Sequence, residues 1–279
     1  MAIKKKTTDV VKKEEAGLPI PAADLAALSG QGFEDADSQA FAIPFLRILQ
    51  ALSPQVDQTE AAYIDGASQG QFFNTITNEL YGDSVEVIPV HYVREFIEWA
   101  PNRGGFQKAH GSDPAILDRV TRVDDKNNQY LDNGNTIQDT RNHFVLIVSE
   151  LYKGPVILNL SSSGIKHSRK WMSMMNALVI PGTETKAPMF AGVWEIKTTK
   201  NKNDDGTWYM IGDKNVTCVE FKCWVNKTEL NAAQEARKLI KSGTAKVDWE
   251  AVKSEPAGKG PHTDPNTVPD DVRDEDIPF

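Results

Sequence analysis

The stretch SVEVIPVHYVREFIEW at residues 84–99 does most to limit how this chain can fold. It is dense in β-branched and aromatic residues and alternates in part between apolar and polar, which reads as a strand. Pro89 has no N–H to give to a ladder, so the strand must bulge or lie at an edge there. Further strand signals cover residues 72–77, 143–150 (HFVLIVSE) and 155–160 (PVILNL), with Lys153 and Gly154 turning between the last two. Residues 189–199 form another strand. After a turn at Asn203-Asp204-Asp205-Gly206, residues 207–212 and 216–225 return as its hairpin partners.

Two helices are legible. Ile165, Met172, Met175, Leu178 and Val179 recur at helical spacing over residues 166–179, with a serine available as cap and Pro181-Gly182 as terminator. Residues 228–241 (TELNAAQEARKLIK) form the second, with Thr228 and Asn231 at its start and Gly243 at its end. Residues 41–52 read as a short helix or an extended segment packed on the domain. Residues 103–142 read as loop-heavy, with at most short strands between clusters of Asp, Asn and Gly. Strand, strand, strand, helix, two-strand hairpin is the order a five-stranded OB barrel requires. The expected fold class is therefore mainly β (α+β): an OB-like barrel with loop insertions, one helix between strands three and four, and a C-terminal helix. Its expected span is residues 40–245. Residues 1–39 read as a flexible arm with one short helix near residues 22–28, and residues 246–279 as a disordered acidic tail.

The formal net charge of -8 argues at first against a phosphate-bearing partner. That average hides an asymmetry. Residues 151–203 hold eight basic side chains (Lys153, Lys166, Arg169, Lys170, Lys186, Lys197, Lys200, Lys202) against Glu184 and Glu195, a local +6. Residues 251–279 hold Lys253, Lys259 and Arg273 against seven acids, a local -4.

The last six residues are ordered in a way that acidity alone does not explain. Asp274, Glu275 and Asp276 precede Ile277, Pro278 and Phe279, so three carboxylates lead into a proline-stiffened aromatic end with its own α-carboxylate. Proline limits the entropy lost when such an end is fixed, and a small apolar slot with a basic rim would capture it. This end resembles the acidic tip of bacterial single-stranded DNA-binding proteins, which typically reads Asp-Asp-Ile-Pro-Phe at the C-terminus. The resemblance implies docking onto replication, recombination and repair proteins, while an OB barrel holds the strand. The long body, the arm and the loop-rich middle look more like phage-borne members of that family.

Coating a single strand requires cations along a groove for phosphates and aromatic faces for bases. One candidate surface is Lys166, Arg169, Lys170 and Trp171, flanked by Lys197, Lys200, Lys202 and Trp208 around the hairpin. The other is Trp99, Arg103, Phe106 and Lys108, where Gly104 and Gly105 would let backbone approach the nucleic acid. Competing readings exist for each. The cations of 166–170 also suit a solvated helix face, the hairpin lysines also protect an edge, and Trp171 also suits a core.

Catalytic signatures do not emerge. The five histidines lack metal spacing, no phosphate-cradling glycine loop occurs, and the paired aspartates at 124–125 and 204–205 sit among turn residues. Cys218 and Cys223 lie on one apolar stretch too far apart to bridge, so neither a disulfide nor a zinc site is expected. The expected function is non-catalytic single-stranded DNA binding in the cytoplasm, with no cofactor, no metal and no membrane partner, and with room for a homo-oligomer. The alternatives are a strand-annealing recombination accessory, or a nuclease or replication enzyme carrying the same tip.

Overall fold

The computed structural model describes residues 20–29, 31–34, 42–101, 105–124, 128–203 and 206–242. Two compact units divide the chain, Met1–Asp37 and Ser38–Phe279. In the first, helix α1 (Ala22–Ala26) starts after Pro21 with Asp24 in its first turn, and none of its residues is buried.

The second unit is mainly β with antiparallel pairing. Strands β1 (Leu46–Ile48), β2 (Phe72–Asn74) and β3 (Leu80–Gly82) form a small sheet in that order. Within the stretch read as helix or extended at 41–52, the described residues form no helix and Leu46–Ile48 is strand β1. Strands β4 (Ser84–Trp99), β5 (Phe106–Ala109), β6 (Val120–Val123), β7 (Gln129–Leu131), β8 (Thr136–Ile147), β9 (Val156–Ser161), β10 (Gly192–Lys197) and β13 (Val219–Trp224) form the main sheet. Between β10 and β13, β11 (Thr199–Asn203) and β12 (Gly206–Met210) make a separate hairpin. Helix α2 (Gly164–Ala177) joins β9 to β10, and α3 (Lys227–Lys241) follows β13.

The β4–β8 ribbon is the spine. Its register runs from Val87 opposite Ile147 to Trp99 opposite Thr136 and shifts between Pro89 and His91, the bulge that a proline inside a strand demands. β10 pairs with the start of β4 and β5 with its end, while β9 and β7 share the other edge of β8. Across the first half the order is thus β13-β10-β4-β8-β9.

Both faces of this half are covered, which is why FVLIV and PVILNL read as almost unbroken apolar runs. On one face Trp171 and Met175 of α2 meet Val85, Val87, Val145, Ile147, Val156, Leu158, Trp194 and Ile196. On the other, Ala233, Ala236 and Ile240 of α3, together with Ile43 and Phe45, pack on Ile88, Val90, Phe144, Leu146 and Ile157.

Two expectations need correction. The sheet does not close among the described residues, because β9 and β13 do not pair. The outer edge of β9 is occupied instead by the segment before β1: Ile157 N donates to Pro44 O at 2.9 Å, and Phe45 bridges Ile157 in parallel. Second, α3 is capped two residues earlier than Thr228 and Asn231 suggest. Asn226 Oδ1 accepts from Glu229 N at 3.0 Å while Glu229 Oε2 accepts from Asn226 N at 2.7 Å, a reciprocal capping box. Gly243, read as its terminator, lies outside the described residues, as do the acidic tail and its tip.

Candidate nucleic-acid interface

The hairpin β11–β12 is held by contacts from distant sequence. Gln50 Nε2 donates to Tyr209 O at 2.9 Å and Gln50 Oε1 accepts from Tyr209 N at 2.8 Å, so one side-chain amide stands in for a neighbouring strand. The Tyr209 ring lies against Gly70, where φ is +90° and an added Cβ would come within 2.7 Å of the ring. Asn201 Nδ2 donates to Gly212 O at 2.9 Å, tying the hairpin to the loop that follows it. Gly212 also has a positive φ, and a Cβ there would meet Val216 O at 2.3 Å and the His167 ring at 2.6 Å. Only glycine fits that crossing.

Cross-strand pairs share a face, so Lys200 with Tyr209 and Lys202 with Thr207 present one side, and Asn201 with Trp208 the other. Lys200 and Lys202 are exposed, and Trp208 is half-buried with its Nε1 buried and unpartnered. Lys197 is different. Its Nζ lies 3.0 Å from Glu195 Oε2, which Lys222 shares at the same distance. Hydrogen bonds from Lys197, Ser84 and Lys222 pull the Glu195 carboxyl down to about 2. That lysine is engaged with protein acid before any ligand arrives.

α2 carries Lys166, Arg169 and Lys170 at the three- and four-residue spacings that share a helix face. Arg169 and Lys170 are exposed, whereas Lys166 is half-buried and donates to Lys214 O at 3.2 Å. His167 Nδ1 sits 2.9 Å from Thr217 Oγ1, so the start of α2 abuts the same loop that anchors the hairpin. Burial and then the neighbouring Lys166 charge lower the His167 pKa to about 4.

Trp171 is not a surface platform. It is fully buried, stacked on His143 at 4.7 Å and edge-on to Trp194 at 6.3 Å. The apolar stripe of α2 faces the sheet, and Trp171 lies on that stripe with Met175. His143 is likewise buried, 2.7 Å from Ser168 Oγ, and burial followed by the Arg141 charge drives its pKa to about 3.

The second predicted surface lies at the far end of β4. Trp99 and Phe106 are half-buried, edge-to-face at 6.3 Å, and Trp99 Nε1 donates to Gln138 Oε1 at 3.1 Å. Gln138 Nε2 in turn donates to Ser161 Oγ at 3.2 Å, and on the same face Asn159 donates to Asn142 and Asn142 to Glu95. Lys108 is exposed and pairs opposite Glu98. Arg103 lies outside the described residues. The two predicted groups therefore stand at opposite ends of β4, and the polar row beside Trp99 lies on the sheet face opposite α2. That row was missed because TIQDTRN, the first half of β8, has a loop-like composition. Alternation of the chain about Ile137 was its only signal.

Other features are structural. Asp124 accepts from Asn128 N, Asn128 Nδ2 and the Tyr130 hydroxyl, which is turn chemistry. Cys218 and Cys223 are free thiols. A shallow hollow lined by Pro44, Asn74, Ile76, Ile147 and Glu150 contains Lys153, but Glu79 and Glu150 both bridge that lysine. Among the described residues no three His, Cys, Asp or Glu side chains converge to hold a metal, and no helix is long and apolar enough to cross a membrane.

No curated protein and no solved structure matches the chain. A family model described as Pam3 phage gp34-like protein matches residues 12–246, most of its length. The chain belongs to the Pam3 phage gp34-like protein family.

Proposed function

We propose that this protein binds single-stranded DNA without catalysing a reaction, and that Asp274, Glu275, Asp276, Ile277, Pro278 and Phe279 recruit proteins of replication, recombination or repair. The observation that carries the reading is the order β13-β10-β4-β8-β9 with α2 between β9 and β10. This order supports an OB-like reading, in which the barrel would be left open between its third and fifth strands. In that fold oligonucleotides lie on the face of strands two and three, between the loop after strand one and the loop after strand four. The corresponding parts here are β8 and β9, the excursion at 100–135 with Trp99, Phe106 and Lys108 at its base, and the hairpin with Lys200, Lys202 and Trp208.

Titration of the full chain with labelled oligonucleotides tests the proposal. Binding should prefer single strands to duplex of the same sequence and weaken steeply with salt, because lysine and arginine contacts release counterions. Trp99→Ala and Trp208→Ala should each lose about 1 to 3 kcal/mol if the ring stacks on a base. Equal affinity for duplex, or affinity indifferent to salt, would sink the proposal. Pairing of complementary strands faster than coating allows would move the protein to the annealing class.

A further inference from the structure

Beside α2, on the sheet face that carries His143, the long ribbon presents a charged cluster assembled from sequence-distant residues. The register sets Tyr92 opposite His143, Arg94 opposite Arg141 and Phe96 opposite Asp139. Two guanidiniums directly across a ladder repel each other. Asp139 resolves this by accepting from Arg94 Nε at 3.1 Å, from Arg94 Nη2 at 2.7 Å and from Arg141 Nη2 at 2.8 Å. One carboxylate serves two arginines, so the cluster keeps a net positive charge.

Its geometry is fixed before any ligand binds. The Arg94 guanidinium is clamped on one edge by Asp139 and lies over the buried Phe96 ring at 4.6 Å. Its Nη1 has no partner among the described residues, and 34% of the side chain is exposed. Tyr92 Oη accepts from Arg141 Nη1 at 3.1 Å, which leaves the hydroxyl proton to be donated elsewhere. Further along this face Glu98 is already occupied by His110, Asn133 and Asn135, and α2 bears no acid.

We infer that Arg94 and Tyr92, backed by Arg141, form a docking point for one backbone phosphate of single-stranded DNA. The inference rests on the single-stranded DNA reading above and adds contacts that neither predicted surface contains. A planar carboxylate prefers the Nε–Nη2 edge of arginine, and Asp139 already fills that edge. What remains is the Nη1 amino group of Arg94 and the Tyr92 hydroxyl, donors that suit the several oxygens of a phosphate.

The test compares the full chain with Arg94→Gln and Tyr92→Phe, by anisotropy of a labelled oligo-dT and of a labelled peptide copying residues 270–279. Arg141 keeps its bond to Asp139 in Arg94→Gln, so circular dichroism should show an unchanged fold. Arg94→Gln should weaken oligo-dT binding about three- to tenfold, equally on a mixed-sequence oligonucleotide, and lower the salt slope by about 0.7. Tyr92→Phe should follow in the same direction by less. If the unmodified chain binds oligo-dT and both variants bind it equally well, the phosphate site is wrong while the broader reading stands. If the unmodified chain binds no single strand, both fail together. A loss confined to the peptide would reassign the cluster to an acidic protein segment and overturn the proposal.

Discussion

His143 and His167 are imidazoles whose protonation the fold resists, one against Trp171 and the other against Gly212. Their folded pKa values, about 3 and about 4, lie below the ordinary 6.5. Between those limits the unfolded chain binds protons that the folded chain refuses. Their contribution to stability is therefore complete above pH 6.5 and declines as pH falls, by up to about 1.4 kcal/mol per pH unit for each histidine. His91, lowered by burial and by Arg237 and Lys241, adds to the same trend. Urea midpoints measured from pH 7 down to pH 5 should fall, and fall less steeply in His143→Asn. A midpoint that stays level over that range would contradict the burial of these rings. Trp171 carries a companion prediction. Truncation to Ala should cost about 3 to 5 kcal/mol of stability, the scale of an emptied aromatic core site. Trp99→Ala should cost less, since that ring is half-buried. A small stability effect with a large loss of oligonucleotide affinity in Trp171→Ala would return that residue to the binding surface.

Among the elements, those whose pattern matches their burial were legible: β4, β9, β10, α2 and α3 all fall near the stretches that periodicity marks. The bulge at Pro89 follows from a missing N–H group, and it appears where the sequence requires it. The first half of β8 was not legible, because Arg141 and the adjoining Asn142 are buried by hydrogen bonding with partners that only folding supplies. The same blindness hid Arg94 and Asp139 as a pair, since the residues lie 45 apart in the chain. Gln50 could not be foreseen either, as nothing local marks a side chain that will cap a hairpin 159 residues away. Gln50→Ala should cost roughly 1 to 3 kcal/mol from two lost bonds. Hydrogen exchange should speed up selectively over residues 199–210, and uniform acceleration across the sheet would argue against a local latch. At the start of α3, Asn226→Ala should cost about 1 kcal/mol, whereas Thr228→Ala should be nearly silent. Chemical denaturation of the two variants separates the caps.

For the molecule as a whole, the charge asymmetry read from sequence survives only in part. Lys153 and Lys197 are spent on Glu79, Glu150 and Glu195, while Lys170, Lys200 and Lys202 remain exposed. Opposite charges on one chain attract across about 8 Å at physiological salt. Deleting residues 274–279 should therefore leave oligonucleotide affinity unchanged or raise it, while abolishing capture of partner proteins. Weaker binding to oligo-dT after that deletion would reverse the assigned role of the tip. His143, Trp171, Trp194, Phe221 and Trp224 follow one another at centroid spacings of 4.7, 6.3, 5.5 and 5.4 Å, from beneath α2 to the exposed end of β13. Indoles so close exchange excitation, so light absorbed at Trp171 or Trp194 can be emitted from Trp224. An oligonucleotide stacking on Trp99 or Trp208 would dim only that residue's share of the emission from six tryptophans, whereas a ligand beside Trp224 would also draw on light absorbed by Trp171 and Trp194.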